Sequence, residues 1–411
     1  MPSLRSLAVL LLAPAFALPA LADAPPRPPL WPVALETPFP EAAASFEQVR
    51  KLILEKYYSS AITEESLWHA AILGMLRHVS PPNDRELGKL WRPAEYEQVS
   101  EALKGRRLHA GVISTIDRAD DSLTVTRVLP GSAADGQVRV QDRILRINGE
   151  RLGGRSAAQI DALLQGESGE RLRLTVVRDI EVLELALDIR PFTVVNLRWE
   201  VLPGGVGYVD IDNVTQGVAK ELETAMAAMG AQGITRAVLD LRGNRGGVFL
   251  DGMKLAEVFL PAKAILVRTL QHDGKVENFI SSNAAPVQME LVVLVDRETG
   301  SSAEIFAAAL RAHGKARIVG TQTYGKATLE ETFRLNNDWR VKFIVRAMFD
   351  PEGKSWHAAG LQPDFAVTMD KALRREAEKL PLEARLQKDL QLNAGWKLLR
   401  VPVPAQAPKA D

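Results

Sequence analysis

An apolar run, Leu291-Val292-Val293-Leu294-Val295, passes directly into Asp296-Arg297-Glu298-Thr299-Gly300-Ser301-Ser302-Ala303-Glu304. An alanine-rich stretch and a second short apolar run, Ala316 to Val319, follow. This order constrains the fold more than any other feature. Short branched runs predict buried strands, the Gly-Ser turn predicts a break, and Glu-Ile-Phe-Ala-Ala-Ala-Leu predicts a helix. Ser301 and Glu304 have the spacing of a capping box at the start of that helix. The helix N-terminus offers free N–H groups and a positive dipole end, which can also hold a developing oxyanion. The chain then turns at Tyr324-Gly325-Lys326, 25 residues after the serine. A serine beside a neutral lysine is a nucleophile that needs no histidine.

The pattern around this segment is α/β. Gly207 to Ile211 and Ala237 to Leu241 read as strands, and Val218 to Met229 as a helix. Another helix is expected from the Arg242–Gly247 turn through Phe259, and another strand from Val341 to Ala347. Helices alternating with strands predict a layered sheet core over 193–370. Upstream, Phe46, Val49, Ile53 and Tyr57 recur at helical spacing. Leu67, Ala71, Gly74 and Met75 mark a second helix that stops near Pro81-Pro82, and a third runs from Pro93 to Leu103. These place a helical region at 41–104. From about Arg107 the period changes to two: Leu123 to Val128 and Arg171 to Val177 alternate, with turns at Gly131 and Asn148-Gly149 and a helix near 156–164. The fold class is thus α/β multidomain, with a β-rich domain at 105–192 inserted between the helical region and the core. A charged helical tail with a disordered end occupies 371–411 and reads as a partner surface.

The start of the chain reads differently. Arg5, the apolar Leu7 to Leu18 and Ala20-Leu21-Ala22 have the form of a secretory signal peptide over 1–22. A proline-rich leader at 23–40 follows. Cysteine is absent, so neither disulfides nor a lipidated cysteine is available. Export to a bacterial periplasm is the expectation. The 51 basic and 51 acidic residues balance, which gives no reason to expect nucleic acid or an anionic membrane as partner. No later apolar segment is long enough to span a membrane. The six histidines are scattered without metal-ligand spacing.

Two features bear on the chemistry beside Ser301. Asp240-Leu241-Arg242-Gly243-Asn244-Arg245-Gly246-Gly247 ends a strand, and paired glycines there allow backbone N–H groups to approach a ligand or simply make a tight turn. Arg242, Asn244 and Arg245 either steer a substrate or satisfy that turn. A catalytic lysine must be neutral at working pH. That means lowering a lysine from about 10.4 to about 7–8, at a cost of roughly 3–5 kcal/mol.

Two resemblances follow from these residues. Pro130-Gly131-Ser132-Ala133-Ala134, Gln141-Asp142-Arg143-Ile144-Leu145 and Ile147-Asn148-Gly149 make 107–190 resemble a PDZ domain. Such domains bind chain ends by strand addition. By position, Leu108-His109-Ala110-Gly111-Val112 is the peptide-binding loop, although it departs from the usual glycine-rich form. More widely, the chain from Phe46 to Asp364 resembles the carboxyl-terminal processing (tail-specific) serine proteases. Ala70-Ala71-Ile72, Gly74-Met75-Leu76, the Leu239–Gly247 turn, Ser301 to Glu304, Tyr324-Gly325-Lys326 and Gly360-Leu361-Gln362-Pro363-Asp364 carry the likeness, in order.

The resemblance implies Ser301 as nucleophile, Lys326 as general base, and an oxyanion hole from Ser302 with Gly246 or Gly247. It implies no cofactor or metal. Its partners are unfolded or C-terminal segments of protein substrates, with self-association through the helical ends. Two departures stand out: Ser302 replaces an alanine, and Glu330 replaces the glutamine four residues after the lysine. An ionised Glu330 favours a charged lysine, which predicts a more alkaline optimum or weak activity. A non-catalytic peptide-binding scaffold is therefore the alternative function, with a regulatory adaptor acting through the tail as a third.

Overall fold

The computed structural model describes residues 38–400, apart from residues 60, 81–86 and 118–120. The signal peptide, nearly all of the leader, the proline stop at 81–82 and the end of the tail lie outside the described residues.

The core is a six-stranded sheet in the order Leu197–Leu202, Val206–Ile211, Arg236–Asp240, Glu290–Val295, Ala316–Gly320 and Phe365–Ala366. Only the first pair is antiparallel; the remaining strands run parallel. The strands read as nearly continuous apolar runs because both faces are covered. Alternate residues sort between the faces. Leu239, Leu291, Val293 and Ile318 pack under the helices Val218–Ala231, Phe249–Glu257 and Ser302–Ala312. Val238, Val292, Leu294 and Val319 face the other way, against Leu386, Leu392 and Leu399 of the tail. Every residue from Ser302 to Leu310 is buried, so this helix runs through the interior.

The tail forms three short helices, Lys371–Glu378, Leu382–Lys388 and Leu390–Leu398. Read in the sequence as a partner surface, it also closes the second face of the sheet through Leu386, Leu392 and Leu399, while Leu373 and Leu390 stay exposed. Its Asp389 is fully buried against Arg242.

A second, antiparallel sheet joins Lys89–Trp91, Arg340–Phe349, Ile265–Gln271 and Val276–Ile280, with Thr328–Arg334 also paired to Arg340–Phe349. Sequence periodicity passed over most of these strands. The helices Ala42–Lys56 and Glu64–His78 bury only Leu76 between them. The 105–192 segment has its own core, including Leu123, Ile144, Ile147, Leu172, Leu174 and Leu187. Its entry and exit are fastened together where Arg106–Arg107 pairs with Phe192–Thr193.

Candidate active site

Three adjacent parallel strands, Arg236–Asp240, Glu290–Val295 and Ala316–Gly320, deliver their C-terminal turns to one edge of the sheet. Ligand sites of open α/β sheets lie outside these strand ends. The turns carry Arg242 to Gly247, Ser301, and Thr323 to Lys326.

The first two turns are tied at Asn244, which is fully buried. Its Nδ2 donates to the Ile211 carbonyl at 2.8 Å, its Oδ1 accepts from the Gly246 N–H at 2.9 Å, and its carbonyl accepts from the Gly300 N–H at 2.9 Å. Thr299 Oγ1 adds a bond to the Leu241 carbonyl at 2.8 Å. Asn244 therefore satisfies the turn and does not face outward. Arg242 does likewise, paired with Asp240 and Asp389. Arg245 is exposed and meets Glu298 at 2.8 Å. Gly246 has to be glycine: a Cβ there would lie 2.6 Å from the Gly300 carbonyl and 2.8 Å from Ser301 Cβ.

Ser301 sits against this turn with φ 56° and ψ −124°, a conformation that costs a non-glycine residue of order 1–3 kcal/mol. Its N–H donates to Glu304 Oε2 at 2.8 Å, forming the glutamate arm of the expected cap. Of the oxyanion candidates, the Ser302 and Gly247 amides have no hydrogen-bond partner among the described residues, whereas the Gly246 amide is already given to Asn244. The Ser302 hydroxyl is buried without a partner among the described residues.

Glu304, expected only as a cap, also holds the third turn. Besides the Ser301 amide it accepts the Lys326 N–H at 2.9 Å, the Gly325 N–H at 2.8 Å and the Thr323 hydroxyl. Burial raises its carboxyl above the ordinary value, and these four donors pull the other way. The Gly360–Asp364 motif braces the same turn: the Leu361 N–H donates to Thr323 Oγ1 at 2.7 Å, and Thr323 N–H returns a bond to the Leu361 carbonyl at 3.1 Å.

The Lys326 amine does not bond to the Ser301 hydroxyl here. It donates to Glu330 Oε2 at 2.7 Å. Glu330, the departure from the glutamine pattern, is thus the partner of the Lys326 amine in this structure.

In the 105–192 segment, Leu108, His109, Ala110 and Val112 are buried. The Ala110 N–H donates to the Leu164 carbonyl at 2.7 Å and the Gly111 N–H to His109 Nδ1 at 2.8 Å. These two amides of the expected peptide-binding loop are therefore engaged within the segment. The following strand, Val112–Asp117, lies at the edge of its sheet. A cavity of about 200 Å³ is bordered by Gly246 and Gly247 together with Gly105, Arg106 and Val194, the two connections into this segment.

Residues 205–367 match the profile of peptidase family S41, and residues 124–178 that of the PDZ domain. Over 205–367 the chain is similar to peptidase family S41. Relatives named "Probable CtpA-like serine protease" are similar over a longer stretch. One from Staphylococcus aureus (strain bovine RF122 / ET3-1) is 26% identical over 329 residues, covering 79% of this chain and 64% of the relative. Another, from Staphylococcus epidermidis, is 24% identical over 77% of this chain and 64% of its own length. The chain thus spans less than two thirds of these relatives. Among solved structures, one described provisionally as an S41 protease from Bacteroides fragilis shares the fold, with a TM-score of 0.54 at 18% identity over 89% of this chain and 99% of its own. The photosystem II D1 C-terminal processing protease aligns with a TM-score of 0.45 at 21% identity, over 79% of this chain and 92% of its own.

Proposed function

We propose that the protein is a serine endopeptidase that cuts exported proteins near their C-terminal ends. The observation that carries this reading is the convergence on one sheet edge of a conformationally strained serine, two undonated amides and a lysine whose backbone is pinned to the same buried glutamate as the serine's. Ser301 attacks the peptide carbonyl and Lys326 takes its proton. The Ser302 and Gly247 amides receive the oxyanion, the Lys326 ammonium gives its proton to the leaving amine as the peptide C–N bond breaks, and water then hydrolyses the acyl-enzyme. For the first step the Lys326 amine has to lose its proton and turn from Glu330 to the hydroxyl, since catalytic hydrogen bonds often form only with substrate bound. The edge strand Val112–Asp117 suits an incoming tail by strand addition. The apolar start of the chain supports action in the periplasm.

Ser301→Ala and Lys326→Ala should each lower cleavage of a denatured protein by at least about 10³-fold. Cleavage at the parent rate in either variant would sink the assignment. A second reading, a peptide-holding scaffold without catalysis, is favoured by the Lys326–Glu330 ion pair. It predicts no labelling of Ser301 by a serine-directed acylating probe and retained affinity for tail peptides.

A further inference from the structure

We infer that Lys342 is a positioning residue for Lys326: it neutralises Glu330, so that the pair of side chains stands in for the uncharged glutamine of the family pattern. The inference rests on the protease reading above.

Lys342 lies on Arg340–Phe349, antiparallel to the strand Thr328–Arg334 that carries Glu330. Glu330 pairs with Ile344 and Thr332 with Lys342, so the glutamate and the lysine are diagonal neighbours. Lys342 Nζ is 3.8 Å from Glu330 Oε2, the same oxygen that Lys326 reaches at 2.7 Å. The other oxygen, Oε1, accepts from the Thr328 hydroxyl at 3.1 Å. Lys342 is also steered from outside: its ammonium sits 5.5 Å from the centre of the Trp91 ring, on the strand Lys89–Trp91. Its position therefore does not depend on Glu330 alone.

The charges then decide the outcome. A carboxylate by itself holds a neighbouring ammonium protonated. A second cation on the same oxygen offsets that attraction and repels the proton directly. Other charged groups around this turn are engaged differently. The carboxylate of Glu304 is filled by four donors. Arg346 faces Glu277 and Glu331. Lys89 lies beside Lys342 in register. His357, held below its ordinary value by burial, adjoins Ala358, whose N–H donates to the Gly325 carbonyl. Among the described residues only Lys342 shares an oxygen with Lys326.

The test is a charge exchange read by pH profiles of kcat/KM on denatured β-casein. Lys342→Met keeps an apolar stem over Trp91 and should move the acid limb up by about one pH unit, close to tenfold less activity at pH 7. Glu330→Gln should move it down. The double variant E330Q/K342M, with neither charge, should return to the parent profile, a rescue that a merely structural lysine does not give. A second readout needs no turnover: acetylation of Lys326 against pH in Ser301→Ala protein, followed by peptide mass spectrometry, should shift in the same order. Unshifted Lys326 reactivity in K342M, or no return in the double variant, overturns the inference. Hydrolysis undiminished in Ser301→Ala overturns the protease reading instead, and the labelling distinguishes the two failures.

Discussion

The Ser301 side and the Lys326 side of the site are held in opposite ways. Around Ser301, Asn244 and Glu304 are fully buried, and their polar atoms meet backbone or hydroxyl donors and acceptors. Around Lys326, two lysines and a glutamate share a partly solvated strand pair. A buried, satisfied network fixes geometry and tolerates no change of partner. A cluster of charges near water adjusts to pH and salt. The Ser301 side is built for placement and the Lys326 side for adjustment.

The deepest support of the Ser301 side gives the largest expected effect on stability. Asp389→Ala leaves Arg242 without one of its carboxylates beneath the 242–247 turn and should cost about 3–5 kcal/mol in urea unfolding. Burial pushes the Asp389 carboxyl up, but the Arg242 guanidinium more than offsets this and leaves it below the ordinary value. The stability it contributes is therefore present above pH about 4 and lost as pH falls through the lowered value. The deficit of Asp389→Ala relative to the parent should shrink in acid; a constant deficit down to the parent's acid transition would contradict the assignment.

The contrast itself is tested by making one isosteric substitution on each side. Glu304→Gln forces an amide NH₂ against N–H donors, because both oxygens accept from backbone N–H groups, and should cost about 2–3 kcal/mol. Glu330→Gln keeps an acceptor for Lys326 and should change stability by less than about 1 kcal/mol. Equal costs in denaturant titrations would erase the distinction. The two also differ in pH. The Glu304 carboxyl is raised in the folded protein by burial, so its contribution is greatest in acid and declines as pH rises from the unfolded value through the folded one. Glu304→Gln should therefore lose part of its penalty at neutral pH relative to pH 4.

The smallest effect has the opposite sign. Ser302→Ala removes a buried hydroxyl without a partner and restores the family's alanine, which should raise stability by about 1 kcal/mol. A thermal melt suffices to check it; a loss of stability would mean that the hydroxyl is satisfied.

Much of the sheet core was legible because strands buried on both faces announce themselves as short apolar runs, as at Leu291 to Val295. The antiparallel strands Thr328–Arg334 and Val276–Ile280 were not, since mixed polar faces leave no such run. At the site, Ser301, Lys326 and the glycine turn could be picked out by motif. The roles of Asn244 and of Glu304 beyond its cap could not, because each links segments far apart in sequence through a side chain whose type is also common in turns and caps. The packing role of the tail was hidden for a similar reason. Asp389 reads as one more surface charge until Arg242, 147 residues earlier, is placed beneath it.

The paired strands Arg106–Arg107 and Phe192–Thr193 bring both ends of the PDZ-like insertion to a single hydrogen-bonded doorway. A chain that leaves and re-enters a scaffold at one spot closes its loop there at little entropic cost, whatever length lies between. The insertion is then an interchangeable cartridge. A short turn or an unrelated small domain with neighbouring termini could be spliced at the doorway while the six-stranded sheet folds as before, so the insertion and the sheet can be altered one at a time.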